Sequence, residues 1–232
     1  MTKEVQSHGF LWERELCEKV YGATIDELKG ITYTSKMDLP GKFNRLDNCD
    51  LSIKTSCSPN TVCMADCLRV FDAVSSANNI HLTVIHYLPN DETLTKHVST
   101  ITEIDLTDSQ NALFGTLTRS QIEELDKLVK SIPKKRKPTK EEHENMYSLR
   151  DTLHAQCGAI HLDIKIDSRT QRRLQCSFNH FQKFIEQNPS KVIERSNSNM
   201  FRGGVISSQI VSPRRVFKKM LPMLPMLPML PE

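Results

Sequence analysis

Residues 33–72 read YTSKMDLPGKFNRLDNCDLSIKTSCSPNTVCMADCLRVFD, and their order decides the expected fold. Gly30 opens an extended stretch over Ile31–Met37, Leu39-Pro40-Gly41 turns the chain, and Leu51–Thr55 is extended again. The two stretches are expected to pair as a hairpin. From Asn60 to about Val74 the pattern is helical, with Val62, Met64, Leu68 and Phe71 on an apolar stripe and Asp66 near its flank. This reading sets one acid, Asp38, at the end of a strand, Lys54 on the next strand, and a second acid, Asp66, in the helix that follows.

That combination suits phosphodiester hydrolysis. Carboxylates hold a divalent cation with some of its waters, the cation activates the nucleophile and neutralises the leaving oxygen, and a neighbouring lysine positions the attacking water. Spacing alone equally describes a hairpin with solvated charges.

Outward from this stretch, Gly9–Tyr21 reads as a helix with Phe10, Leu16 and Val20 near one face. Glu13 falls on that same face, where a carboxylate must find a partner or a metal. Ile80–Tyr87 and Val98–Leu106 are β-branched and alternating, as central strands of a mixed sheet are. Ser120 with Glu123 forms a capping box for a helix to about Ser131, which Pro133 stops. Glu141–His154 is helical, Ala159–Ile166 strand-like, and Ser177–Gln187 helical with Phe178, Phe181 and Ile185 buried. Past Pro189 the pattern fades. The chain closes on four copies of Met-Leu-Pro, where proline at every third place favours an extended, polyproline-type tail.

The 232 residues suit one α/β domain with a substantial core. Seven cysteines, an odd number without a CxxC pair, signal neither a disulfide framework nor a zinc site and favour a reducing compartment. Cys63 and Cys67, at i and i+4 of the expected helix, read as packing residues. No charged-then-apolar leader opens the chain and no run reaches membrane-spanning length, so an intracellular, non-membrane protein is expected. The histidines show no nucleophile–base arrangement, which disfavours a serine or cysteine hydrolase. The net charge of +3 is unevenly spread. Residues 191–219 carry seven basic side chains against one acid, Glu194. Pro133–Pro138, PKKRKP, looks like a nuclear-import signal and equally like a solvated, phosphate-contacting loop.

HGFLWEREL (8–16), YTSKMDLP (33–40), SIKTS (52–56), MADCLRVFD (64–72) and KIDSRTQRRLQCS (165–177) occur in an order that resembles PD-(D/E)xK nucleases, including restriction enzymes of bacteria and large DNA viruses. The resemblance spans roughly residues 8–180. It implies a restriction-endonuclease-like α/β core, a mixed central β-sheet flanked by helices, with magnesium and cleavage of double-stranded DNA. It also implies a sequence-specific type II enzyme acting as a homodimer, with a structure-selective nuclease or a degenerate DNA-binding protein as alternatives. Asp38 would be the acid closing the first core strand and Lys54 the lysine of the next. Ser52 departs from the pattern, because a hydroxyl stands where the family has Asp or Glu. Asp66 then becomes the substitute metal ligand beside Asp38, and Glu13 completes the acidic cluster.

Plainer roles stay open. Glu13 could pair with an arginine or lysine, Asp66 could cap its helix or bridge to Arg69, and Asp50 could be a turn acid or an alternate ligand. Asp47 and Asp72 read as solvated. A rival DxK lies at Asp163-Ile164-Lys165. Lys165, Arg172, Arg173 and Gln175 read as DNA contacts or as a polar network supporting the site, and Lys135, Arg136, Arg202, Arg214 and Arg215 as phosphate contacts. The expected organisation is a nuclease domain over 1–190, a basic DNA-contacting segment over 191–219 and the extended tail over 220–232.

Overall fold

The computed structural model describes residues 7–31, 37–76, 79–167 and 171–211. In chain order the helices are α1 (Ser7–Lys19), α2 (Ile25–Lys29), α3 (Cys67–Val74), α4 (Gln110–Phe114), α5 (Arg119–Ser131), α6 (Lys140–His154) and α7 (Phe181–Gln187). The strands are β1 (Asp50–Ser56), β2 (Val62–Asp66), β3 (Ile80–Asn90), β4 (Thr95–Asp105), β5 (Ile160–Ile166), β6 (Arg172–Phe178), β7 (Val192–Ser196), β8 (Met200–Phe201), β9 (Gly204–Val205) and β10 (Gln209–Val211).

The protein is a mixed α/β fold. Its central sheet has five strands, with β1 parallel to β3, β3 antiparallel to β4, and both β10 and β7 on the far edge of β4. Period-2 alternation splits β3 cleanly. Leu82 and Val84 enter one core with α3, α5, α6 and α7, while Ile85 and Tyr87 enter a second core with Trp12, Leu16 and Tyr21 of the α1 region. Parallel β1 and β3 require a crossover, and β2–α3 supplies it. A second sheet, β2-β6-β5, is antiparallel throughout and closes the first core.

The expected central strands and the helices over 9–21 and 141–154 agree with the structure within a few residues. Four expectations are corrected. Residues 62–66 are strand, not helix, because Val62 and Met64 alternate inward across from β6, and the helix begins only at Cys67. The capping box of α5 is Thr118 with Gln121, two residues upstream of the expected pair, and Glu123 instead pairs with Lys127 and Arg119. Phe178 ends a strand, so the late helix starts at Phe181. Residues 191–211, expected to lie outside the domain of 1–190, belong to the central sheet through β7 and β10.

The expected hairpin is visible only at its base, where Leu39 and Leu51 form an antiparallel bridge, since residues 32–36 lie outside the described residues. Arg214, Arg215 and the Met-Leu-Pro tail also lie outside them. Among the described residues no helix is long and apolar enough to cross a membrane.

Candidate active site

Asp38 is placed by the turn that follows it. Gly41 packs so closely on the 48–49 backbone that an added Cβ would sit 2.5 Å from the Asn48 carbonyl oxygen, so only glycine fits this reversal. The Gly41 N–H donates to Asp50 Oδ1 at 2.8 Å, which makes Asp50 a turn acid. The turn brings Asp38 beside β1, where its Oδ2 accepts from Ile53 N–H (2.6 Å), Lys54 Nζ (2.7 Å) and Ser52 Oγ (3.2 Å). Ser52 therefore orients Asp38 and supplies no carboxylate. Lys54 Nζ also donates to the Ile53 carbonyl at 3.0 Å, so two of its three N–H donors are held and one is free to meet a ligand.

Asp66 arrives from the crossover. A bulge between Cys63 and Ala65 breaks the β2–β6 ladder, and Ala65 takes φ 84°, a left-handed conformation that is costly for alanine. The bulge aims Asp66 at the cleft while its Oδ1 caps α3 by accepting from Arg69 N–H at 3.0 Å. Asp66 thus stands at the strand–helix junction, ahead of the helix rather than inside it. Cys63 and Cys67, expected on one helix face, fall on a strand and a helix start.

Glu13 comes from α1, whose Trp12, Leu16 and Cys17 are buried while Phe10 and Glu13 face outward into a cavity of about 580 Å³. That one cleft is lined by Glu13, Asp38, Ser52, Lys54, Asp66, Arg69 and Arg173. Glu13 is pushed up to about 8, first by burial and then by the charge of Asp38, with Lys54 opposing. Burial and the neighbouring Asp38 thus favour the protonated form of Glu13. The carboxylates lining this cleft are hard oxygen donors, the kind a magnesium-like cation takes in preference to a thiophilic one.

The expected nucleic-acid contacts divide. Arg172 is buried, and its guanidinium donates to the carbonyls of Ile132, Pro133, Arg136, Asp167 and Gln171 at 2.6–3.0 Å. It therefore holds the basic loop in place and is not available to DNA. Gln175 is buried in β6 opposite Asp66, and Arg136 is forked onto Glu142. Lys165 and Lys135 are exposed. The rival Asp163 binds Ser177 Oγ at 2.7 Å, and neither it nor Lys165 lines the cleft.

On the opposite face of the sheet lies a cluster that the sequence reading did not assemble. Asp47, expected to be solvated, joins Cys49, His81 and Glu103 in a group that could hold a metal ion. Arg202 Nη1 already stands among the carboxylates, 2.6 Å from Asp47 Oδ2 and 2.8 Å from Glu103 Oε2. The Tyr21 hydroxyl donates to Glu103 as well. The guanidinium supplies the positive charge there, so Arg202, expected to grip phosphate, is committed to the interior. The one signal in the sequence was a lone arginine beside a Gly-Gly pair, too little to pair it with an acid 99 residues away.

Comparison with protein-family models, with curated proteins and with solved structures returned no match for this chain.

Proposed function

We propose that the cleft is the centre of a magnesium-dependent endonuclease that hydrolyses phosphodiester bonds of double-stranded DNA on a restriction-endonuclease-like core. One observation carries the reading: Glu13, Asp38 and Asp66, from a helix, a turn and a strand–helix junction, line the same cavity as Lys54. Magnesium bound there would supply charge neutralisation at the phosphate and acidify a water.

Glu13, Asp38 and Asp66 would provide the carboxylates that hold the cation. Lys54, clamped by Asp38 and its own strand, presents its remaining N–H to the attacking water and the developing negative charge. Ser52 keeps Asp38 in register by donating to it. The finer reading is sequence-specific cleavage by a homodimer, whose two-fold symmetry would match that of a palindromic site. The serine in place of the usual acid favours one competing reading, a degenerate centre that binds DNA without cutting it.

The purified protein incubated with unmethylated plasmid and magnesium should give discrete fragments. EDTA should abolish them, and Lys54→Ala should slow cleavage by about 10²–10³-fold. Binding by wild type without cleavage in magnesium or manganese would sink the catalytic reading, and a monomer by light scattering on a cognate duplex would sink the dimer.

A further inference from the structure

We infer that Arg173 is the cleft's phosphate clamp, a side chain that folding leaves unsatisfied so that a DNA phosphate can complete it. This rests on the nuclease reading above. Three observations carry it. Arg173 lines the same cavity as Glu13, Asp38, Lys54 and Asp66. Its Nε is buried without a hydrogen-bond partner among the described residues. It also stands in a fixed relation to the acids: Asp66 pairs in register with Gln175, and Arg173 lies two residues along β6, hence on the same face of the sheet as Asp66.

Lys54 is paired with Asp38 and Arg14 with Glu18, whereas Arg173 lines the cavity without an ion pair among the described residues, its Nε–H shut off from solvent with no acceptor. A buried donor without an acceptor costs stability, and a guanidinium that lines a cleft without an ion pair is one that a ligand's oxygens can complete. A guanidinium fork matches two oxygens of a phosphodiester, and Arg173 would hold that phosphate in the same cleft that the acids line. Its neighbour Arg172 is the internal contrast, because every direction of that guanidinium is already answered by a carbonyl.

The test compares wild type, Arg173→Gln, Arg173→Lys and Lys54→Ala. Thermal melting is measured first, then binding of a labelled duplex in calcium across a salt series, then single-turnover cleavage of unmethylated plasmid in magnesium. Arg173→Gln should melt at or above the wild-type temperature, because no internal partner is lost. It should bind duplex about tenfold more weakly. Its salt dependence should be shallower by about 0.9 in log–log slope. Cleavage should slow by about 10²-fold. Arg173→Lys should restore the salt slope, which needs only charge, and recover cleavage only in part, because the fork is missing. Lys54→Ala should lose most of its cleavage while still binding duplex, which separates a loss of chemistry from a loss of binding.

Arg173→Gln that binds and cuts like wild type would overturn the inference while leaving the nuclease reading intact. A clear loss of melting temperature would overturn it too, by making Arg173 structural. If wild type itself neither binds nor cuts duplex, the nuclease reading fails and the clamp with it, a result recognisable because every protein in the set is then inert.

Discussion

Arg172 and Arg173 are neighbours of identical chemistry with opposite duties, because consecutive strand residues face opposite sides of a sheet. Arg172 reaches into the loop around Pro133 and ties five carbonyls together. Removing it leaves those oxygens buried without donors, so Arg172→Met should destabilise the protein by about 3 kcal/mol in denaturant titrations. Glu13 carries a different signature. Its carboxyl has an ordinary value of 4.5 and is raised to about 8 in the fold, chiefly by burial. Below about 4.5 both states hold the proton. Between about 4.5 and about 8 the unfolded chain has released it while the folded one retains it, so in the metal-free protein this group makes stability fall as pH rises, levelling off above about 8. Denaturation midpoints measured across that range should show the slope in wild type and a shallower one in Glu13→Gln. An equal slope in both would remove Glu13 as its source.

The β2–α3 junction is the element on which the site depends. Asp66 has two tasks there, capping the helix and supplying a carboxylate, and substitution can separate them. Asp66→Asn keeps a side-chain oxygen for the Arg69 N–H, so its melting temperature should stay near wild type while metal-dependent cleavage is lost. Asp66→Ala should lose both, at about 1 kcal/mol of stability. If Asp66→Asn cuts at the wild-type rate, Asp66 is a cap and nothing more. The misreading of this segment has a physical source. Val62 and Met64 fit a helical stripe as readily as an alternating strand, and what decides is the ladder to Cys176 and Phe178, more than 100 residues away. The bulge that aims Asp66 leaves no mark in composition either, since alanine is an unusual choice for a left-handed position.

For the whole molecule the decisive contact is Arg202 against Asp47 and Glu103, which fastens the last strands across the α1 face of the sheet. Glu103 has no exposed surface, so losing its counter-charge is expensive. Arg202→Met should cost about 3–5 kcal/mol and raise hydrogen exchange throughout residues 192–211. Because the guanidinium already compensates this cluster, stripping metals with EDTA should leave the melting temperature unchanged in Asp38→Asn/Asp66→Asn, whose cleft no longer holds the proposed cation. A fall would instead mean that Asp47, Cys49, His81 and Glu103 hold a metal needed for folding.

Local periodicity was enough to read α1, β3, β4 and α6 from the chain, because each element's own residues set the spacing of its buried face. Asp38 and Lys54, set by the sequence on two extended segments joined by a turn and singled out by the resemblance, are joined in the structure at 2.7 Å. Everything that required distant segments to meet was decided by tertiary structure alone. The gathering of Glu13 and Asp66 around that pair, the withdrawal of Arg172 and Arg202 from the surface, and the exposure of Arg173 to the cleft all depend on strand register and sheet order. Those are fixed by hydrogen bonds between residues far apart in the chain, and no short window of sequence contains both partners.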